Sequence, residues 1–232
     1  MLKVYYRLSN LEAGMSKKKI SNATKQYCLQ NAIEVFGADN ITIMGDRLND
    51  ETRKFVEELG LRLLLVDNGS GSGTFRDALD QAIKENDDNT MVYLLEDDFL
   101  HLNGAHRKLV EVLGAYDCYA TLYDHPDKYI NATEGGNPFI EGGGEDTKLF
   151  KTETSHWKIT NSTVMSFAAR VGRLKQDHHL LMKYSEGHIT DSFRFFCELR
   201  QMKGIPVVSS VPGCSTHCEE TWLSPFTNWE KI

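Results

Sequence analysis

In the first half of the chain, short unbroken apolar runs alternate with longer segments whose apolar residues recur at helical spacing. Leu2 to Leu8, Ile41 to Met44, Leu61 to Val66 and Met91 to Leu95 read as strands, and most of them are apolar nearly throughout. Between them, Asn22 to Phe36 carries Cys28, Leu29, Ala32, Val35 and Phe36 on one stripe, and Gly37 is suited to end that helix. Glu51 to Leu59 is a second helix, stopped by Gly60. Thr74 to Lys84, with Phe75, Ala78, Leu79, Ala82 and Ile83, is a third, capped by Thr74 or Ser72, and Arg107 to Leu113 is a fourth. A strand that is apolar on both faces needs cover on both faces. The alternation therefore predicts an α/β fold, a mostly parallel, Rossmann-like sheet flanked by helices.

The second half is less regular. Tyr119 to Tyr123, Thr163 to Ala169 and Pro206 to Val211 read as strands, and Ser192 to Met202 as a helix, ahead of an irregular tail ending near Trp229. Residues 131–147 hold Gly135, Gly136, Gly142, Gly143 and Gly144, which predicts a mobile loop. Without an internal repeat or a Pro/Ser-rich linker, 1–232 reads as one domain whose second half completes a site begun by the first. Of the 232 residues 41% are hydrophobic, which excludes intrinsic disorder. No apolar run approaches the roughly 20 residues needed to span a bilayer, and Met-Leu-Lys-Val-Tyr-Tyr-Arg7 lacks the apolar core of a secretion signal. Five cysteines do not make a disulfide framework. A soluble cytoplasmic protein is expected, and a net charge of −7 argues against a generally basic nucleic-acid binder.

The chemistry concentrates in Met91-Val-Tyr-Leu-Leu-Glu-Asp-Asp-Phe99, five apolar residues running straight into three carboxylates. Strand carboxyl ends face the ligand crevice of a parallel sheet, so Glu96, Asp97 and Asp98 are expected at its mouth. Their mutual repulsion is relieved by a divalent cation, and all-oxygen donors suit Mg²⁺ or Mn²⁺. A solvated acidic turn is the plainer explanation of such a triplet, but its place after a buried strand favours a site. Upstream, Asp67-Asn68-Gly69-Ser70-Gly71-Ser72-Gly73-Thr74 joins a strand to a helix. Its glycines would let backbone N–H groups approach a phosphate, with Arg76 adding charge, although it matches neither GxGxxG nor a P-loop and many such turns bind nothing. His217, after the last strand, is placed to complete a metal shell with Asp98; a structural zinc site with Cys214 and Cys218 lacks a second cysteine pair. Asp191 is explained by helix capping, and the same position is compatible with a general base. The segments Tyr123-Asp-His-Pro-Asp-Lys-Tyr129 and His156-Trp-Lys-Ile-Thr-Asn-Ser-Thr163 read as polar-aromatic loops, where Trp157 is either a stacking face or a buried anchor.

Taken together, the Asn68 to Arg76 loop-to-helix segment, Glu96-Asp97-Asp98 and the late His217 resemble the GT-A fold glycosyltransferases. The segments Leu122 to Tyr129, His156 to Thr163 and Ser215 to Pro225 are similar to a compact branch associated with TET-type DNA base oxidation in phages. The resemblance implies a nucleotide-sugar-binding half over 1–100 and an acceptor half over 101–232. It implies an enzyme, a hexosyl- or pentosyltransferase using a nucleoside-diphosphate sugar, with a UDP-sugar as donor and Mn²⁺ or Mg²⁺ as cofactor. Asp98 would hold the metal against the donor diphosphate, with His217 approaching the same metal or the diphosphate. Glu96 and Asp97 would hold the ribose or support the metal. Asn68, Gly69, Ser72 and Arg76 would lie by the nucleotide, Asp191 would be the base, and Asp124, His125, Trp157 and Thr160 would face the acceptor. Glu-x-Asp in place of Asp-x-Asp leaves the ribose contact open. The acceptor implied is a 5-hydroxymethylated pyrimidine in phage DNA, inside the host cytoplasm.

Alternatives stand beside this. A sugar nucleotidyltransferase of the same fold class would carry a glycine-rich basic stretch near the N-terminus, where Leu8 to Ser16 has a single glycine. A calcium-binding module would need alternating ligands around a glycine, which Glu96 to Phe99 does not offer. Glycan, lipid and small-molecule acceptors remain open. DNA would want a positive face, for which Lys17 to Lys19, Arg107 with Lys108, and Arg170, Arg173 and Lys175 are the candidates; solvated helix surfaces explain these equally well.

Overall fold

The computed structural model describes residues 1–11 and 18–232, so Lys17 and most of the Leu8 to Ser16 stretch fall outside the described residues. In chain order the elements are β1 (Leu2–Ser9), α1 (Lys25–Phe36), β2 (Ile41–Asp46), α2 (Asp50–Glu58), β3 (Arg62–Val66), α3 (Gly71–Glu85), β4 (Met91–Glu96), β5 (Phe99–His101) and α4 (Ala105–Ala115). There follow β6 (Tyr119–Thr121), β7 (Leu149–Lys151), β8 (His156–Thr160), β9 (Phe167–Arg170), α5 (Val171–Lys183), α6 (Ser192–Lys203), β10 (Val207–Val211) and β11 (Ser215–His217). Nine strands form one sheet in the order β3-β2-β1-β4-β9-β6-β10-β8-β7, and β11 pairs with β5 in a small ribbon. From β3 to β4 the sheet is parallel; beyond β4 it is mixed, with β9 antiparallel to both β4 and β6 and β10 parallel to β6.

The sheet divides the core in two. On β1, Val4, Tyr6 and Leu8 join one apolar cluster while Tyr5 joins the other, and on β4 Tyr93 and Leu95 separate in the same way from Val92 and Leu94. Successive strand side chains point to opposite faces, so unbroken apolar runs are what a sheet covered on both sides requires. Leu29, Ala32 and Phe36 of α1 with Leu109 and Val112 of α4 cover the first face; Phe75, Ala78 and Leu79 of α3, with Phe195 and Phe196 of α6, cover the second.

Several expectations are corrected. Leu61 to Val66 becomes the outermost strand and is half-exposed, because nothing pairs with its far edge among the described residues; Leu65 faces solvent. The third helix begins at Gly71, earlier than its apolar stripe. Ser70, and neither Ser72 nor Thr74, caps it, accepting from the Gly73 N–H at 3.1 Å. Gly73 is required there, since a Cβ would stand 2.6 Å from Cβ of Asn68. His156 to Thr160 is a strand, not a loop, and of Thr163 to Ala169 only the last three residues belong to a strand, which runs on to Arg170. The 131–147 segment is tied down: Asn137 and Ile140 are buried, and a Cβ on Gly136 would meet the Ile130 carbonyl oxygen. Among the described residues no helix is long and apolar enough to cross a membrane.

Candidate functional site

β1, β2, β3 and β4 end side by side, with Ser9 level with Asp46, Asp46 with Val66, and Arg7 with Glu96. This edge receives the three acids, and the local structure sends each in a different direction. Glu96 meets the buried guanidinium of Arg7 at 3.3 Å and accepts the Ser166 hydroxyl at 3.0 Å. Asp97 accepts the Ser9 N–H at 3.0 Å and the Lys25 ammonium at 2.7 Å. Asp98 turns toward the β5–β11 ribbon, where its Oδ2 is 2.9 Å from both Lys19 Nζ and His217 Nε2. Its other oxygen, Oδ1, is buried and has no hydrogen-bond partner among the described residues.

His217 reaches Asp98 through antiparallel pairing. It lies opposite Phe99 in the ribbon, and the next residue, Cys218, donates its N–H to the Asp98 carbonyl at 3.0 Å. Burial disfavours both charges, yet the pairing prevails. Imidazolium and ammonium together hold the Asp98 carboxyl well below the usual carboxylate range, and the Asp98 charge, with Glu96 and Glu219 behind it, lifts His217 to about 9 against burial. Two cationic donors thus crowd one carboxylate oxygen while its partner oxygen goes unused.

That donor set fits a hard or borderline dication. A carboxylate with a spare buried oxygen suits Mn²⁺ or Mg²⁺, and His217, on giving up its proton, would add a nitrogen donor that suits the more borderline Mn²⁺. No group of three or more His, Cys, Asp or Glu is assembled for a metal among the described residues. Such a cation would take its remaining ligands from water and phosphate, as Mg²⁺ usually does.

Beside the acids, Asp46 closes β2 fully buried. It accepts the Asn68 N–H at 3.0 Å, the Gly69 N–H at 3.0 Å and the Thr74 hydroxyl at 2.8 Å, and so pins the turn into α3. Asn68 itself bonds Asp77, and the hydroxyl of Ser72 lies 3.0 Å from that of Thr190. The guanidinium of Arg76 donates to the Ser185 carbonyl, tying α3 to the end of α5. Asp46 and Arg7 escaped the sequence analysis. The signal for Asp46 was available, since Ile41-Thr-Ile-Met-Gly-Asp46 repeats the strand-then-acid pattern of Glu96; for Arg7, inside an apolar run, there was none.

In the second half, Asp191 caps α6, accepting the Arg194 N–H at 3.0 Å, with Arg194 Nε 3.4 Å from its other oxygen. Trp157 is fully buried in β8, its indole N–H on Thr152, so it anchors the core and offers no stacking face. Thr160 is buried against Glu145, and Asp124 lies in a buried ion pair with Lys158 at 2.8 Å. His125 alone of that group borders open space. A cavity of about 270 Å³ is lined by His125, Asp127, Lys128, Asn137, Thr163 and Ser192, among others. It adjoins the acidic edge through 163–166, where the Met165 carbonyl accepts Arg7 at 2.7 Å and Ser166 reaches Glu96. A larger hollow, about 400 Å³ among Asp117, Arg170 and Arg173, opens at the opposite end of β4. The described residues of the candidate basic faces are occupied: Lys18 pairs with Glu220, Lys19 with Asp98, Arg107 with Glu111 and Glu153, Arg173 with Asp117, and Lys175 with Asp88, while Lys108 donates to the Cys214 sulfur and Arg170 bonds carbonyls of α4.

No protein-family model matches this chain, and no curated protein matches it in sequence. Among solved structures, GalNAc-T7 with UDP, GalNAc and Mn²⁺ superposes with a TM-score of 0.57 at 10% identity, over 92% of this chain and 42% of that one. The chain therefore spans less than half the length of that protein. The galactosyltransferase LgtC with donor and acceptor sugar analogues gives 0.49 at 10% identity over 90% and 73% of the two chains. A CMP:2-keto-3-deoxy-manno-octonic acid synthetase complexed with CTP gives 0.47 at 14% identity over 91% and 92%. At such identities likeness speaks to architecture alone. The parallel half-sheet that ends in acids, the mixed second half and the first of these superpositions agree on one architecture: this chain has the GT-A fold.

Proposed function

We propose that the protein is a metal-dependent glycosyltransferase, moving a sugar from a nucleoside-diphosphate donor, with UDP as the nucleotide, to an acceptor hydroxyl. The supporting observation is the Asp98–His217 pair at the acidic sheet edge, with a buried carboxylate oxygen left over for a further partner. Asp98 and His217 would hold the dication, which would supply Lewis-acid stabilisation of the departing diphosphate. Around it, Asp97 is held by Lys25 and the Ser9 N–H, and Glu96 by Arg7 and Ser166, which fixes both side chains at the sheet edge where they would support the ribose or the metal shell. Asn68 and Gly69, in the turn before α3, would border the nucleotide, with the buried Ser72 supporting that turn through its hydroxyl contact to Thr190. Asp191 takes the proton of the acceptor hydroxyl as that oxygen attacks the anomeric carbon and the sugar–phosphate bond breaks. It directly precedes Ser192, which lines the cavity next to the acids.

The GalNAc-T7 structure contains UDP and Mn²⁺, and its architecture is shared, which favours this donor class. Smaller acceptors are favoured over a phage-type 5-hydroxymethylated pyrimidine in DNA, because the described members of the candidate basic clusters are engaged within the protein by acids, backbone carbonyls or a thiol. The test is donor-induced thermal stabilisation with Mn²⁺ across a panel of nucleotide sugars. A UDP-sugar should raise the melting temperature of the wild type and leave Asp98→Asn unmoved. A donor response that survives Asp98→Asn, or none in either protein, defeats the proposal.

A further inference from the structure

Resting on that transferase reading, we infer that the cavity beside α6 is the acceptor pocket and that it takes a single neutral sugar ring. Its charges cancel internally. Asp127 Oδ1 lies 2.9 Å from His125 Nδ1 and 3.2 Å from Lys128 Nζ, and the buried Lys128 ammonium also donates to Ser162 Oγ at 2.9 Å. A charged ligand would lose hydration there without gaining an unpaired counter-charge. What the cavity does offer is hydrogen bonding. Thr163 is 5% exposed, its hydroxyl has no partner among the described residues, and it lines the space. Asp127 keeps part of its carboxylate open to solvent, and Ser192 adds a second hydroxyl.

One wall is apolar. Phe193 lines the cavity with Val164 and Pro138, and its ring stacks on the exposed Phe139 at 5.5 Å and 30°. Hydroxyl and carboxylate groups on one side with an aromatic face on the other match a polyol ring, which has an equatorial rim of hydroxyls and an apolar C–H face. At about 270 Å³ the space lies just under the usual range for small-molecule pockets, enough for one ring. A flipped nucleobase would fit by size, but a DNA acceptor needs a cationic path for its phosphates, and the described members of the basic clusters are engaged by acids, by backbone carbonyls or, for Lys108, by the Cys214 sulfur.

The experiment is saturation-transfer NMR on the full chain with Mg²⁺ and UDP, using methyl glycosides of glucose, galactose, mannose and N-acetylglucosamine as probes. At least one glycoside should bind, and Thr163→Val and Asp127→Asn should each weaken it about fivefold, the loss of one hydrogen bond, with UDP affinity unchanged. Thr163→Val is near-isosteric, so it reports even if Asp127→Asn disturbs the turn. UDP binding without any glycoside binding overturns the pocket and leaves the transferase reading standing; binding of neither overturns both. Glycoside binding indifferent to both variants, or a 5-hydroxymethylcytosine oligonucleotide that binds in place of every glycoside, also overturns it.

Discussion

Replacing Lys19 by Gln should tighten Mn²⁺ binding. The ammonium of Lys19 lies 2.9 Å from Asp98 Oδ2, the oxygen that also faces His217. A dication approaching Asp98 must therefore displace that ammonium or share the oxygen with it. Two unit charges at this separation attract by about 6 kcal/mol at an effective dielectric near 20. Lys19 keeps 38% of its side chain exposed, so water returns most of that on release. The net contribution of such a pair is about 1 kcal/mol, and a charge-assisted hydrogen bond raises it to about 2. Lys19→Gln should accordingly lower the Mn²⁺ dissociation constant roughly 5- to 30-fold. Calorimetric titration of Mn²⁺ at fixed pH, with and without UDP, measures this, and free Mn²⁺ by electron paramagnetic resonance gives an independent value. Lys25→Gln is the control: its ammonium holds Asp97, and it should change Mn²⁺ affinity less. Equal or weaker binding by Lys19→Gln would refute the competition.

Three further outcomes concern the supports of the acidic edge and an ion pair at the opposite end of the sheet. Arg7→Met should destabilise the fold by about 3 kcal/mol in urea titration, because it leaves Glu96 and the Met165 and Gly71 carbonyls without their guanidinium. Gly73→Ala should cost about 1–3 kcal/mol, since the new methyl group collides with Asn68 and shifts the turn into α3. The Arg62 guanidinium holds Glu85 at about 2, against burial and with help from Tyr5 and Gln81, below the ordinary 4.5. Because the folded value is the lower one, the stabilisation is complete above pH 4.5 and disappears as pH falls toward 2. Glu85→Gln should therefore be less stable than wild type by about 1 kcal/mol at pH 7, after screening, and indistinguishable near pH 2.

Much of the first half was legible because its signals are local. Strand periodicity, the stripe of α1 and the burial of β4 on both faces follow from residues adjacent in sequence, and they place Glu96, Asp97 and Asp98 at a strand's carboxyl end without further information. The second half was harder. Its strands are short and pair antiparallel with distant partners, so β8 could be taken for a loop, with Thr160 turned to an acceptor and Trp157 open between stacking face and buried anchor, when pairing with β10 and packing beneath it bury both. The glycine-rich 131–147 segment looked unanchored because the groups that anchor it, Asp127 and Asn161 among them, lie outside it in sequence.

From its sequence alone, this chain was bound to form a helix-covered sheet carrying acids at one edge, since apolar runs and the carboxylates that end them act through nearest neighbours. Tertiary structure decided what those acids do. Only the β5–β11 ribbon sets His217 on Asp98 from 119 residues away, while β1 supplies Arg7 and the start of α1 supplies Lys25 to hold the other two. Charge pairing at 3 Å depends on where the folded chain returns, and no local pattern encodes that return.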